Sequence, residues 1–148
     1  MKNYKTAFTM IEMIFVIVVL GILAAVAVPK FAATRTDAEI SKGRADIASI
    51  RSAIVTERQS RLIQGQSAWI SKLSTGTTTL FDGNTSSELL MYGIAAGSGS
   101  GHWAGADPTY TYTVESIDVT FTYTPNDGKF TCDTTNGTYG EMCKTLIN

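Results

Sequence analysis

The chain has 148 residues, two cysteines, one histidine and a formal charge of −1, with 44% hydrophobic against 17% charged residues. That is room for one domain with a usable core, and the composition excludes a disordered or collagen-like chain. The near-zero net charge gives no general reason to expect nucleic acid as a partner. From Phe8 to Pro29 run 22 residues with one charge, Glu12, which excludes a freely soluble cytoplasmic protein. Residues 30–61 carry seven basic groups against four acidic ones, and residues 62–148 carry three against eight. Two readings of that asymmetry stay open: copies that attract each other head to tail, or two separately solvated surfaces.

In chain order the first element is the apolar run, FTMIEMIFVIVVLGILAAVAVP. As a helix rising about 1.5 Å per residue it can cross a bilayer core of about 30 Å. It reads either as a retained anchor or as a secretory signal. In the second case Lys2 and Lys5 form the positive region and Ala25-Val26-Ala27 the cleavage site, releasing a soluble protein that begins at Val28. Glu12 argues for the anchor. An acid costs on the order of 2.5–3.5 kcal/mol at mid-membrane and less near the interface, and a signal core has no reason to carry that cost. A cut just before Phe8 would create an α-amine four residues from Glu12, able to pair with it in the same chain or a neighbouring one. Lys2 and Lys5 on one side, against Lys30, Arg35 and Lys42 on the other, leave the orientation undecided by charge.

Lys5-Thr6-Ala7, followed by Phe8-Thr9-Met10-Ile11-Glu12 and the apolar run, resembles the prepilin leader and N-terminal helix shared by type IV pilins and type II secretion pseudopilins. The resemblance extends from residue 5 to about residue 60. It implies cleavage between Ala7 and Phe8 by a membrane-embedded aspartic prepilin peptidase, N-methylation of Phe8, and Glu12 as the acid that sets subunit registry during assembly. The family usually carries Gly before the cut. Ala7 stands here instead, still small, so slower cleavage is expected. The resemblance also implies a leader in the cytoplasm, residues 30–148 outside, and an inner-membrane, single-pass precursor embedded in lipid. Its implied partners are further copies of itself, other pseudopilins or pilins, the prepilin peptidase and an inner-membrane assembly platform.

After Pro29 the chain is rich in Ala, Arg and Glu, which are helix formers. Ile40, Ile47, Ile50 and Ile54 fall on one face, and Asp37, Glu39, Arg44, Arg51 and Arg58 lie largely off it. One amphipathic helix is expected to continue the apolar one and dock its isoleucines on a sheet, with Gly43 allowing close approach. Pro29 removes a helical hydrogen bond and favours a kink. With Gly21 it bounds a stretch that either loosens on assembly, as in the related filaments, or stays merely bent.

From Gly65 onward Gly, Ser and Thr dominate, and residues 74–88 and 96–108 read as loops. Residues 110–114, 118–124 and 129–132 alternate apolar or aromatic residues with Thr, the strand period of two, and Pro125-Asn126-Asp127-Gly128 marks a turn. The expected fold is α+β and pilin-like: a long N-terminal helix packed on a small antiparallel sheet of three or four strands. The expected organisation is a leader at 1–7, a transmembrane assembly helix at 8–29, its amphipathic exposed half at 30–63 and a β-rich head at 64–148.

Cys132 and Cys143 are expected to form a disulfide that pins the tail outside the inner membrane, since two cysteines without a nearby histidine are too few ligands for zinc. Asp118, Asp127, Asp133 and Glu141 could offer oxygens to calcium, but their spacing is not that of an EF-hand, and solvated turn acids are the plainer reading. No other cofactor is expected. Asn84-Thr85-Ser86 and Asn136-Gly137-Thr138 are glycosylation-type triplets of the kind a Thr-rich chain contains by chance, and no modification is assigned to them.

His102 lies in a Gly/Ser stretch beside Trp103 and reads as loop packing or a subunit contact. No Gly-x-Ser-x-Gly elbow, phosphate-binding loop or dinucleotide fingerprint is present, so no enzyme is expected. The expected function is a structural subunit of a pilus-like filament, read first as a type II secretion pseudopilin acting in protein export across the outer membrane. The alternative is a type IV pilin for adhesion, motility or DNA uptake. A soluble periplasmic binding module released by signal cleavage is a second alternative.

Overall fold

The computed structural model describes residues 8–148. Its first element, α1 (Met10–Ile63), is one helix that runs through both Gly21 and Pro29. The helix stops at a left-handed glycine. Gly65, at φ +79°, lets its own N–H donate to the Leu62 carbonyl and the Gln66 N–H donate to the Arg61 carbonyl, so the last turn is satisfied. The chain divides after Arg35 into two compact units.

In the N-terminal unit, residues 8–31 are exposed throughout. The large apolar side chains from Phe8 to Phe31 have no protein neighbours covering them, and the segment is long and apolar enough to cross a membrane.

The head comprises residues 36–148. Along the region read as a loop, β1 (Thr79–Leu80), β2 (Gly83–Asn84), β3 (Ser87–Glu88) and β4 (Ile94–Ala95) form two short antiparallel ladders, β1 with β4 and β2 with β3. The main sheet follows, with β5 (Trp103–Ala106), β6 (Thr109–Val114), β7 (Ile117–Thr124) and β8 (Lys129–Cys132) antiparallel in sequence order. A second helix, α2 (Gly137–Ile147), closes the chain.

Register explains the packing. Tyr110 faces Phe121, Tyr112 faces Val119, Trp103 faces Tyr112 and Tyr123 faces Phe130, so one face of the sheet is aromatic. The alternating threonines at 120, 122 and 124 point to the exposed face. Ile47, Ile50 and Ile54 of α1 are buried in one core with that aromatic face, and Ile40 packs against its edge. At Gly43 an added Cβ would lie 2.5 Å from Tyr112 Cε1, so the expected close approach of helix and sheet is present.

Three expectations are corrected. The 96–108 stretch is not all loop, because residues 103–106 pair with β6 as an edge strand. Trp103 is not a loop or subunit contact. It is fully buried, and its Nε1 donates to Asp46 Oδ2 of α1 at 3.0 Å. Nor do the basic groups of α1 form a free surface awaiting an acidic partner. Arg44 donates to the Thr145 carbonyl at 2.7 Å, Arg51 to the Phe130 carbonyl at 3.0 Å, and Lys42 to the Gly101 carbonyl. Arg58 stacks 5.0 Å above the Trp69 ring, and Arg61 pairs with Glu57 at 2.9 Å and reaches Ser87. The helix cations are latches that hold α1 to its own head.

Candidate functional site: the assembly segment and the pinned tail

Thr9 starts the helix. Its carbonyl accepts the Met13 N–H and its Oγ1 accepts the Glu12 N–H, both at 3.3 Å. That is the geometry of a helix N-cap, with Glu12 at the third helical position, where a carboxylate also favours the positive end of the helix dipole. The Thr9-x-x-Glu12 spacing is a capping-box signature legible in the sequence, which the sequence reading passed over. Glu12 therefore has a local task in addition to any part in assembly. Its side chain is exposed and has no ion-pair partner among the described residues.

Phe8 is exposed at the start of the described chain. Ala7, on the other side of the expected cut, lies outside the described residues, as do Lys2 and Lys5. Gly21 has no neighbour within 4 Å of a built Cβ, and both Gly21 and Pro29 sit within the helix.

At the other end of the chain Cys132 and Cys143 are joined in a disulfide. Cys132 ends β8 and Cys143 is buried in α2, so the bond fastens the terminal helix to the last strand. Leu146 is buried beside it, and Gly140 lies so close to the Thr134 carbonyl, 2.7 Å from a built Cβ, that a larger residue would force α2 away. The tail helix was absent from the sequence reading.

A buried polar cluster ties the start of the head helix to the sheet. Glu39 is 9% exposed and accepts the Ser100 hydroxyl and the Glu115 N–H, while Lys42 holds Gly101 beside it. Tyr112 donates to the Glu39 carbonyl at 2.7 Å, and burial pushes its phenol up to about 12. Tyr123 donates to the Ile70 carbonyl at 2.7 Å and is likewise pushed up to about 12 by burial. Both phenols thus serve as permanent donors. Asp46 is raised above the usual carboxylate range by desolvation, which outweighs the Trp103 hydrogen bond and the Lys42 charge.

The four acids considered for calcium are dispersed into local contacts. Asp127 pairs with Lys129 at 2.9 Å, Glu141 with Lys144 at 2.7 Å, Asp118 accepts the Thr113 hydroxyl, and Asp133 accepts the Thr135 N–H and hydroxyl. Only Asp118 and Asp133 share a cleft, and no three potential ligands gather among the described residues. His102 Nδ1 faces the Ser100 carbonyl at 3.0 Å, while the Ser100 hydroxyl turns to Glu39. The one histidine and its nearest serine are therefore not arranged as base and nucleophile.

Residues 2–28 match the family model described as the prokaryotic N-terminal methylation motif. The chain is 30% identical over 131 residues to the type IV major fimbrial protein FimA of Dichelobacter nodosus, an alignment covering 82% of this chain and 74% of that protein. No solved structure matches the chain. The alignment extends well beyond the apolar helix and into the head, so the likeness is not that of a shared leader alone. Together with the long helix and the small antiparallel sheet, it shows that the chain belongs to the type IV pilin-like family, whose members are processed by a prepilin peptidase and assemble into filaments.

Proposed function

We propose that this protein is a type IV pilin, the subunit of a surface filament, rather than a type II secretion pseudopilin. The observation that carries the reading is the 30% identity to a major fimbrial protein over 74% of that protein's length. A disulfide-bounded C-terminal loop is also the commoner device of type IV pilins, and Cys132–Cys143 is such a loop. Export as a pseudopilin, the first expectation from sequence, has no observation of its own in its favour. The soluble-module alternative would discard the methylation motif and the apolar helix together.

On this reading the precursor is a single-pass inner-membrane protein with its leader in the cytoplasm and its head in the periplasm. Prepilin peptidase cuts between Ala7 and Phe8, and Phe8 is N-methylated. Sixteen or more apolar side chains then leave lipid for one another, a transfer that removes no hydrophobic burial and gains van der Waals packing between helices. Glu12, isolated in its own chain, finds the Phe8 amine of a neighbour. That pairing fixes axial registry, because a carboxylate in an apolar bundle is strongly destabilising in any register that leaves it unpaired. Gly21 and Pro29 mark the stretch where α1 loosens as subunits pack.

Deletion of the gene, with surface fibres counted by electron microscopy and exoproteins measured in the medium, tests the assignment. Loss of fibres with unchanged export is the expected outcome. Retained fibres with blocked export would overturn it.

A further inference from the structure

We propose that the outward face of α1 between Ala45 and Ile63 is a docking surface for the apolar N-terminal helix of a second copy of this chain. The inference rests on the filament reading and adds to it a particular surface and a particular occupant.

A helix packed on a soluble head ordinarily turns its charges outward. Here the pattern is inverted. Ten residues of this stretch are exposed, among them Ala48, Ser52, Thr56 and Leu62, and none of the ten is charged. At about 100° per residue they occupy an arc of about 160° opposite the isoleucine face. All five charged residues of the stretch, Asp46, Arg51, Glu57, Arg58 and Arg61, are half-buried, and each has a partner within its own head. Depletion of charge is the mark of an interface core rather than of a solvated surface. A groove runs along this face between Ser52, Thr56 and Ser60 on the helix and Glu88–Leu89 beside it. Its floor is made of short side chains, which let a second helix approach to the 8–10 Å or so of close helix packing.

The chain itself supplies the complement. From Phe8 to Val28 almost every position carries a large apolar side chain exposed to its full extent, including Phe15, Ile17 and Leu20. The rest of the head offers only Met91, Tyr92 and Tyr139 as large exposed apolar groups among the described residues outside α1. Those three are too few to line a face that is about 27 Å long for its 19 residues. The face is also a continuation of the same helix whose apolar half brings copies together. Each copy then presents one rod and one seat, on different parts of its surface. A contact of that kind is heterologous and does not close on itself, so it propagates into an open filament rather than a dimer.

The test uses the full chain in cells that assemble it. Ser52→Lys places a charge at the centre of the face, and Ser52→Ala is its control. Sheared filament is weighed against membrane-held subunit, and the melting temperature of each detergent-solubilised chain reports folding. Ser52→Lys is expected to melt like the parent, to be processed like the parent, and to yield about tenfold less filament or lower, because a buried unpaired charge is poorly tolerated. Ser52→Ala is expected to assemble normally. In assembled filaments, a cysteine at position 52 paired with one at Ile14, Ile17 or Val18 is expected to give chain-to-chain adducts with a bismaleimide. Parental filament yield from Ser52→Lys would overturn the inference, as would adducts from position 52 that reach a second head and never the apolar helix. Absence of filaments from the parent chain would instead remove the filament reading, and this inference with it.

Discussion

A methyl group added at Gly43 would meet Tyr112 Cε1 at 2.5 Å and Leu146 Cδ2 at 2.9 Å, in a core where neither ring nor leucine has room to retreat. Alanine is the better helix former by about 1 kcal/mol, but overpacking a full seam costs about 1–3 kcal/mol. Gly43→Ala is therefore expected to lower head stability by about 1–2 kcal/mol in a denaturant titration, against the propensity scale. Asp46 gives a pH-dependent counterpart. Its folded pKa is raised, so its contribution is fully present below the ordinary value near 3.8 and is lost as pH rises through the higher folded value. Asp46→Asn keeps an acceptor for Trp103 and removes the charge. Its melting temperature is expected to equal or exceed the parent's at pH 7, with the gap narrowing by pH 3.5. Asp133, lowered by the Thr135 hydrogen bonds, acts with the opposite sign: its contribution is present above the ordinary value and fades as pH falls through the lowered one.

At the scale of elements, the disulfide and α2 form one device. Breaking the bond with Cys132→Ser is expected to cost about 2–4 kcal/mol of head stability and to open residues 133–148 to limited proteolysis, read by mass spectrometry of the fragments. The isoleucine stripe of α1 was legible in the sequence because a 3.6-residue period survives any detail of packing, and the long strands because Thr and aromatic residues alternate without interruption. The edge strand β5 was not legible. Its four residues, Trp-Ala-Gly-Ala, follow a Gly/Ser run and carry one strand-forming side chain, and tertiary pairing with β6 decides their state. The tail helix was hidden for a similar reason. Two glycines and two threonines in eleven residues argue against a helix, and docking of Cys143 and Leu146 into the core overrides them. The latches of Arg44 and Arg51 onto carbonyls more than 70 residues away could be found only in the folded chain, since no local pattern announces them. The acid at position 12 was legible because a charge in an apolar run is anomalous whatever the fold.

For the whole molecule, the division into an exposed apolar helix and a head held together by aromatic packing, one disulfide and inward-turned arginines gives each part its own work. The head folds on its own core, and the helix stays incomplete until lipid or other copies cover it. Glu12→Ala is expected to leave membrane insertion and processing intact and to abolish or sharply reduce filaments in sheared fractions, since it removes the carboxylate and leaves the Thr9 cap. Normal filament yield from that variant would show that the acid does not set registry. The claim on which the account turns is that the apolar helix is retained and assembled. It is tested most directly by the intact mass and N-terminal fragment spectrum of the mature chain taken from the membrane and from sheared filaments. The account predicts, in both fractions, a polypeptide beginning at Phe8 with one added methyl group on its amine. A mature chain beginning at Val28, with no trace of the preceding helix, would contradict it.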